Sequence, residues 1–357
     1  MLFPYKYVPH AMDRMQRFIN FIFNEVWCKA PKGGAFRLEL FDSNPDLKEV
    51  MTTFYYSDKK NADFFYGHIE RIYGLFAELP RTDIKQFKRW HQGNNSIQKV
   101  CANDPTTHIA RYEDIPSKHE ALIRQLNSFF SGLYDNVEIA ALKKKVGSLN
   151  DHYKAFMGKN TVGKCPFCGI TDMLGVYHTA REAYDHYLPK AYYPFNSINF
   201  HNLVPACHYC NSSYKTSKNP AFTPKDPARA IHRRKIFYPY SSTDYTIEVT
   251  IDLNNPDVNH IAPDDIQLSF GPPALSEEIE TWNDVYGIAE RYKAKCCSES
   301  DGKYWITQIV DEWRVDGRPP ADYMHALNRQ AARSPFAESN FLKKAFLEGC
   351  DRAGLFR

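Results

Sequence analysis

Hydrophobic residues three and four apart run through Met12, Met15, Phe18, Ile19, Ile22, Phe23 and Val26. That spacing lines one face of an amphipathic helix over Met12 to Val26. Asn44-Pro45-Asp46 sets a capping side chain before a proline at the first helical position and predicts a second helix. The pattern recurs over Asn61 to Leu79, Asp83 to Trp90 and Pro116 to Tyr134, and a further helix is expected over Val137 to Phe156. Lys32-Gly33-Gly34 and Gln92-Gly93-Asn94-Asn95 read as loop punctuation. Phe64, Phe65, Tyr66 and Tyr73 keep helical spacing, which assigns them to a core. No catalytic constellation stands out here, so residues 1–157 are expected to form a helical domain that packs on the remainder or receives a partner.

Beyond it the pattern shortens. Met173 to His178 and Ala183 to Leu188 suit short strands, Pro189 to Asn199 a loop, Leu203-Val204 an extended piece, and Asn211 the start of a helix. Thr246 to Leu253 alternates through Ile247, Val249, Ile251 and Leu253, a half-buried strand that Ile266 to Phe270 could pair. Helical spacing returns over Leu275 to Lys293, Gly302 to Val315, Ala321 to Ala332 and Phe336 to Cys350. The expected class is α+β in three parts: the helical domain, a central module at 158–225, and an α+β extension at 226–357.

Hydrophobic content of 43% and charged content of 24% suit a globular chain long enough for two or three domains. No apolar run approaches the ~20 residues that cross a bilayer. The start, Met1-Leu2-Phe3-Pro4-Tyr5-Lys6, lacks the order of a signal peptide, so a cytoplasmic location without membrane association is expected. The net charge of +3 is unevenly spread: Lys159 to Lys235 holds eleven Lys/Arg against four Asp/Glu, leaving the rest net negative. A basic middle suits phosphate partners, although a solvated basic face would give the same count.

Nine cysteines, an odd number, argue against a disulfide framework. Cys28, Cys101, Cys296, Cys297 and Cys350 have no C-x-x-C partner and are expected to be small apolar residues. The other four form Cys165-Pro-Phe-Cys168-Gly169 and Cys207-His-Tyr-Cys210-Asn211. Two such knuckles read as a closed four-thiolate zinc site with a structural role, since a redox dithiol leaves the second pair unexplained. Between them lie Tyr184-Asp185-His186-Tyr187-Leu188-Pro189-Lys190 and His201-Asn202-Leu203. Asp185 offers a hard oxygen to Mg²⁺ or Mn²⁺, Asn211 a neutral amide oxygen, and His186 a base that titrates near neutrality. Neighbours on a regular strand point to opposite faces, so for Asp185 and His186 to face one site the strand must end or bulge at this pair. Lys190, Lys215 and Lys218 are candidate phosphate contacts. His178, His201 and His208 are weaker candidates.

The series Asp185-His186-x-x-Pro189-Lys190, Asn202-Leu203 and Cys207-x-x-Cys210-Asn211-x-x-x-Lys215 resembles the HNH endonuclease superfamily, in the branch whose ββα-metal fold is braced by four cysteines. The likeness covers roughly one sixth of the chain. It implies that Asp185 and Asn211 coordinate a catalytic divalent ion, that His186 is the general base, and that Asn202 holds the loop orienting it. Tyr184 stands where some members carry a first His. The implied activity is hydrolysis of nucleic-acid phosphodiesters, with DNA favoured over RNA. Helix-extended bacterial members resemble anti-phage effectors of the Septu and retron type, some paired with an ATPase. The chain has no G-x-x-x-x-G-K-[ST] loop of its own, so ATP use would fall to such a partner. Restriction-type or homing nucleases are another setting. A non-catalytic zinc module that binds nucleic acid, or a degenerate scaffold serving in assembly, are the rival readings.

Overall fold

In the computed structural model the residues described are 1–57, 60–226, 228, 230–255, 257 and 260–356. The apolar stripe forms helix α1 (Asp13–Phe21), which runs on through a wider π-type turn at Ile22–Val26. Every stripe residue is buried, because the stripe faces the core from both turns. Helix α2 (Pro45–Tyr55) starts where the sequence indicates, and the Asn44 side chain accepts a hydrogen bond from Leu47 N. Helices α3 (His68–Ala77), α4 (Arg81–Asn95) and α5 (Glu120–Leu133) follow. The single helix expected over Val137 to Phe156 is two, α6 (Ala140–Val146) and α7 (Leu149–Lys159). Gly147 breaks them at φ +83°, and Ser148 caps the second by accepting from Asp151 N.

Gln92 to Asn95 corrects the loop expectation, for it is the last turn of α4. Gly93 is there for close approach: a Cβ would sit 1.9 Å from the His108 carbonyl oxygen. The strand expected at Met173 to His178 does not form. Backbone pairing stops at the Lys164–Asp172 bridge and Met173 N on the Gly163 carbonyl at 3.0 Å. Side chains take over from there, through Tyr153 Oη to the Leu174 carbonyl at 2.6 Å and Leu174 N to Glu182 at 3.3 Å.

The second expected strand does form, as β1 (Tyr184–His186), pairing antiparallel with β2 (Leu203–Pro205), Asp185 opposite Val204 and His186 opposite Leu203. A short π-type helix, Tyr209–Lys215, comes next. Strands β3 (Glu248–Leu253) and β4 (Ile266–Gly271) pair in the register that alternation indicates. Helices α8 (Ser276–Tyr286), α9 (Ile288–Cys297), α10 (Gly302–Asp316), α11 (Pro320–Arg333) and α12 (Asn340–Arg352) complete the chain. Gly287, at φ +59°, separates α8 from α9, and the Tyr214 ring fills the space its Cβ would need.

The architecture is mixed and mostly helical, with small sheets. Buried residues from all three parts belong to one core cluster. Leu2 N donates to the Pro166 carbonyl at 2.8 Å, and the Phe3 and Phe336 rings meet at 4.6 Å, so both ends of the chain pack around the middle. Among the described residues no helix is long and apolar enough to cross a membrane.

Candidate active site

The four paired cysteines come together. Cys165, Cys168, Cys207 and Cys210 are buried, with sulfur atoms all within 4.8 Å of one another and Cys168 Sγ 4.0 Å from Cys207 Sγ. Tetrahedral zinc at bonds of about 2.3 Å needs sulfurs about 3.8 Å apart, so these thiols can hold a zinc ion. Gly169, at φ +68°, tightens the first knuckle, with its N–H on the Cys165 carbonyl at 2.7 Å. The C-terminal extension clasps it: Trp282 Nε1 donates to the Phe167 carbonyl at 2.6 Å and Tyr292 Oη to the Cys168 carbonyl at 2.8 Å.

Arg291, nearly buried, donates from Nη1 to Cys210 Sγ at 3.1 Å. Its burial alone would lower the guanidinium pKa, but the thiolates of Cys210, Cys168 and Cys207 raise it by more. A four-thiolate zinc carries a net negative charge, which a buried cation offsets. Arg291→Met is therefore expected to weaken zinc retention roughly 10- to 100-fold, read by competition with a chromogenic chelator. Unchanged zinc affinity would remove that role.

The site around His186 is built from both sides of the hairpin. Strand β1 ends at this residue, yet the two neighbours take different partners and diverge as on a regular strand, so the shared facing that the strand's end was expected to allow is not found. The His186 ring leaves by one face, with Nε2 2.9 Å from the Ser197 carbonyl oxygen and the Tyr134 ring set edge-on at 5.0 Å. A carbonyl only accepts, so Nε2 carries the proton of the neutral ring and Nδ1 keeps its lone pair. Burial lowers the His186 pKa to about 3, with Lys190 and Lys215 adding to the fall and the Ser197 carbonyl opposing it. The imidazole is thus neutral at physiological pH.

Asp185 goes the other way. It is 2% exposed, and its Oδ1 accepts from Lys215 Nζ at 2.7 Å. Lys215 is 1% exposed and also donates to the His186 carbonyl at 2.9 Å. Burial lifts the Asp185 pKa against the pull of this ammonium. The sequence reading of Lys215 as a phosphate contact is corrected here, since a lysine enclosed between a carboxylate and a carbonyl does not reach substrate. Asp185 Oδ2 is buried and has no hydrogen-bond partner. That free, hard oxygen fits one coordination position of a divalent cation, in keeping with Mg²⁺ sites that use one or two carboxylates. Asn211 is half-buried on the short helix, with its backbone N on the Cys207 carbonyl at 3.0 Å. Among the described residues, the group of three or more His, Cys, Asp or Glu able to hold an ion is the cysteine cluster.

Asn202, 0% exposed, closes the loop that follows β1. Its Oδ1 accepts from Leu188 N at 2.7 Å, and its Nδ2 donates to the Leu188 carbonyl at 3.0 Å. Lys190 is partly exposed, ion-paired with Asp135 at 3.1 Å and 5.9 Å from the centre of the Tyr134 ring. Lys218 Nζ donates to the Asp284 carbonyl at 3.0 Å, at the C-terminal end of α8. Tyr184 is buried with its hydroxyl on His152 Nδ1. His201 stacks on Tyr7 at 4.1 Å and bonds Tyr238 Oη at 2.8 Å, a packing role. His208 is exposed, and His178 bonds within its own turn at Gly175.

Sequence reasoning missed Tyr134, Ser197, Arg181 and Arg291. Tyr134 sits at the end of a helical stripe and looks like any core aromatic. Burial raises its pKa, while the Arg181 guanidinium beside it lowers it. Phe195 holds φ +81°, which costs a bulky residue about 1–3 kcal/mol, and its ring is wedged among Phe23, His91 and Phe130 at 5.2–5.4 Å.

The chain is 24% identical over 144 residues to the Septu protein PtuB of Bacillus thuringiensis, a stretch covering 39% of this chain and 53% of that protein. It thus spans about half the length of the curated relative it matches. No protein-family model matches the chain, and no solved structure matches it.

Proposed function

We propose that this chain is a nucleic-acid phosphodiesterase of the HNH kind, with His186 as the general base and DNA as the first substrate to test. The observation that carries the reading is the His186 imidazole, neutral, held by the Ser197 carbonyl with Nδ1 free, and set among the cationic groups of Lys190 and Lys215. The order of hairpin, short helix and four-cysteine brace supports the same reading, as does the position of Asn202 behind the loop.

In that reaction Nδ1 takes a proton from the water that attacks phosphorus, and the leaving oxygen departs from the opposite side. A base titrating near 3 is weak for this task, because efficient proton transfer needs a pKa near the working pH. Burial is the larger cause of that low pKa; bound phosphate would offset the smaller part due to Lys190 and Lys215 and so favour the imidazolium as it forms. A Mg²⁺ or Mn²⁺ ion would take Asp185 Oδ2 and Asn211 as its candidate ligands and would supply positive charge to the site. Lys190 is free to exchange Asp135 for phosphate, since an exposed ion pair is worth only about 0–1 kcal/mol.

The similarity to a Septu protein supports a role in anti-phage defence. In that setting the helical part would meet a partner protein, and an ATPase is the partner we propose.

The test compares the native protein with His186→Gln on plasmid and RNA, with and without Mn²⁺. Cleavage should fall by roughly 10²- to 10⁴-fold in the variant. Because burial holds the free imidazole's pKa well below its ordinary value, kcat/KM, which reports the free enzyme, should not decline through pH 6.5 as it would with an ordinary histidine base. Equal activity in both proteins, or none in either, would leave the non-catalytic assembly reading in its place.

A further inference from the structure

We propose that Asn94, at the C-terminal end of α4, is a positioning residue for His186, so that the helical N-terminal part is built into the site; this rests on reading His186 as the base. The Ser197 carbonyl that fixes the ring lies in the segment 194–199, which forms neither helix nor strand. Its internal bond is Asn199 N to the Asn196 carbonyl at 3.2 Å, and Gln16 Nε2 and Asn202 Nδ2 reach the Phe195 and Asn196 carbonyls at 3.3 and 3.4 Å. Asn94 also holds it from outside. Its side chain is 0% exposed, donates from Nδ2 to the Pro194 carbonyl at 3.0 Å and the Ala110 carbonyl at 2.9 Å, and accepts at Oδ1 from Ala110 N at 3.0 Å. From the loop, Asn196 Nδ2 returns a bond to the Asn94 carbonyl at 3.1 Å. Next along α4, Asn95 Oδ1 accepts from Asn199 Nδ2 at 3.0 Å.

These bonds bracket Ser197 on both sides, at Pro194–Asn196 and at Asn199. They also hold Phe195 in a backbone conformation that bulky residues leave when unconstrained. Only an amide of this length meets the geometry. Aspartate lacks the two donors, and glutamine adds a methylene to a site with no exposed surface. Loosening Asn94 therefore shifts the Ser197 carbonyl and releases the ring to its other tautomer.

The test uses full-length, zinc-loaded protein with ¹⁵N-labelled histidine, the resonances of residue 186 being identified by their loss in His186→Gln. The native ring should be the Nε2–H tautomer at pH 7. In Asn94→Ala and in Asn196→Ala it should become a mixture of tautomers, and kcat on DNA should fall roughly tenfold with KM unchanged. Val100→Ala, a buried change in the short helix Ile97–Cys101 that follows α4, should lower stability and leave the tautomer alone. An unchanged tautomer in the folded variants, or the same change in Val100→Ala, would overturn the proposal. If Asn94→Ala does not fold, Asn196→Ala decides by the same criteria. The spectrum needs no turnover, so an inactive native protein would sink the nuclease reading and still leave Asn94 decided.

Discussion

Replacing Cys207 by Ser is expected to strip the protein of zinc and to unfold its middle. The thiolates are buried at a separation suited to one tetrahedral ion, and structural zinc in small domains is worth about 10–16 kcal/mol at neutral pH. Total stabilities of about 5–15 kcal/mol leave no reserve against such a loss. The damage should also spread in a defined direction. Trp282 and Tyr292 hang on the Phe167 and Cys168 carbonyls, and Leu2 N on the Pro166 carbonyl. Hydrogen exchange should therefore rise in α8, α9 and the first residues, together with the knuckles. Elemental analysis of the native protein should find one zinc per chain. A native protein without zinc, or a Cys207→Ser protein with the native melting temperature, would refute the assignment.

Lys215→Met is expected to cost about 3–5 kcal/mol, read as a shift in the denaturant midpoint. The reason is asymmetric. Burying an ion pair gains little over an apolar pair of the same shape, but removing one partner strands the other charge. In this variant Asp185 would keep its 2% exposure and lose its cation, and the His186 carbonyl would lose a donor as well. The double variant Asp185→Leu/Lys215→Met should recover most of the loss, short of about 1–3 kcal/mol for the orphaned carbonyl. If the single and double variants were equally destabilised, the pair would not be coupled and the contact would carry no energy.

Much of the helical framework was legible because its cause is local. Burial of every third or fourth residue shows in the stripe from Met12 to Val26, and the Asn44 cap needs only its own neighbours. The alternation at 246–253 likewise foretold β3, since one face of that strand is covered and the other is not. Expectations failed where distant atoms decide. Gly93 looked like a turn because glycine usually marks one, yet it serves the approach of the His108 carbonyl. Lys215 looked like a surface cation because lysine seldom goes inside, and the partner that draws it in lies 30 residues away.

The candidate site divides along the same line. By itself the sequence marked the two cysteine knuckles that come together, since each C-x-x-C turn brings its own two thiols close along the chain. It also marked Asp185, His186, Asn202 and Asn211 as the residues to watch. Only the tertiary structure decided that Asp185 and His186 take different partners, which proton the His186 ring keeps, and that from the helical part Tyr134 meets that ring while Asn94 bonds the loop beside Ser197. Periodicity and spacing encode which face of a segment is buried. Hydrogen bonds between residues a hundred positions apart depend on how those faces meet, and no local pattern records that.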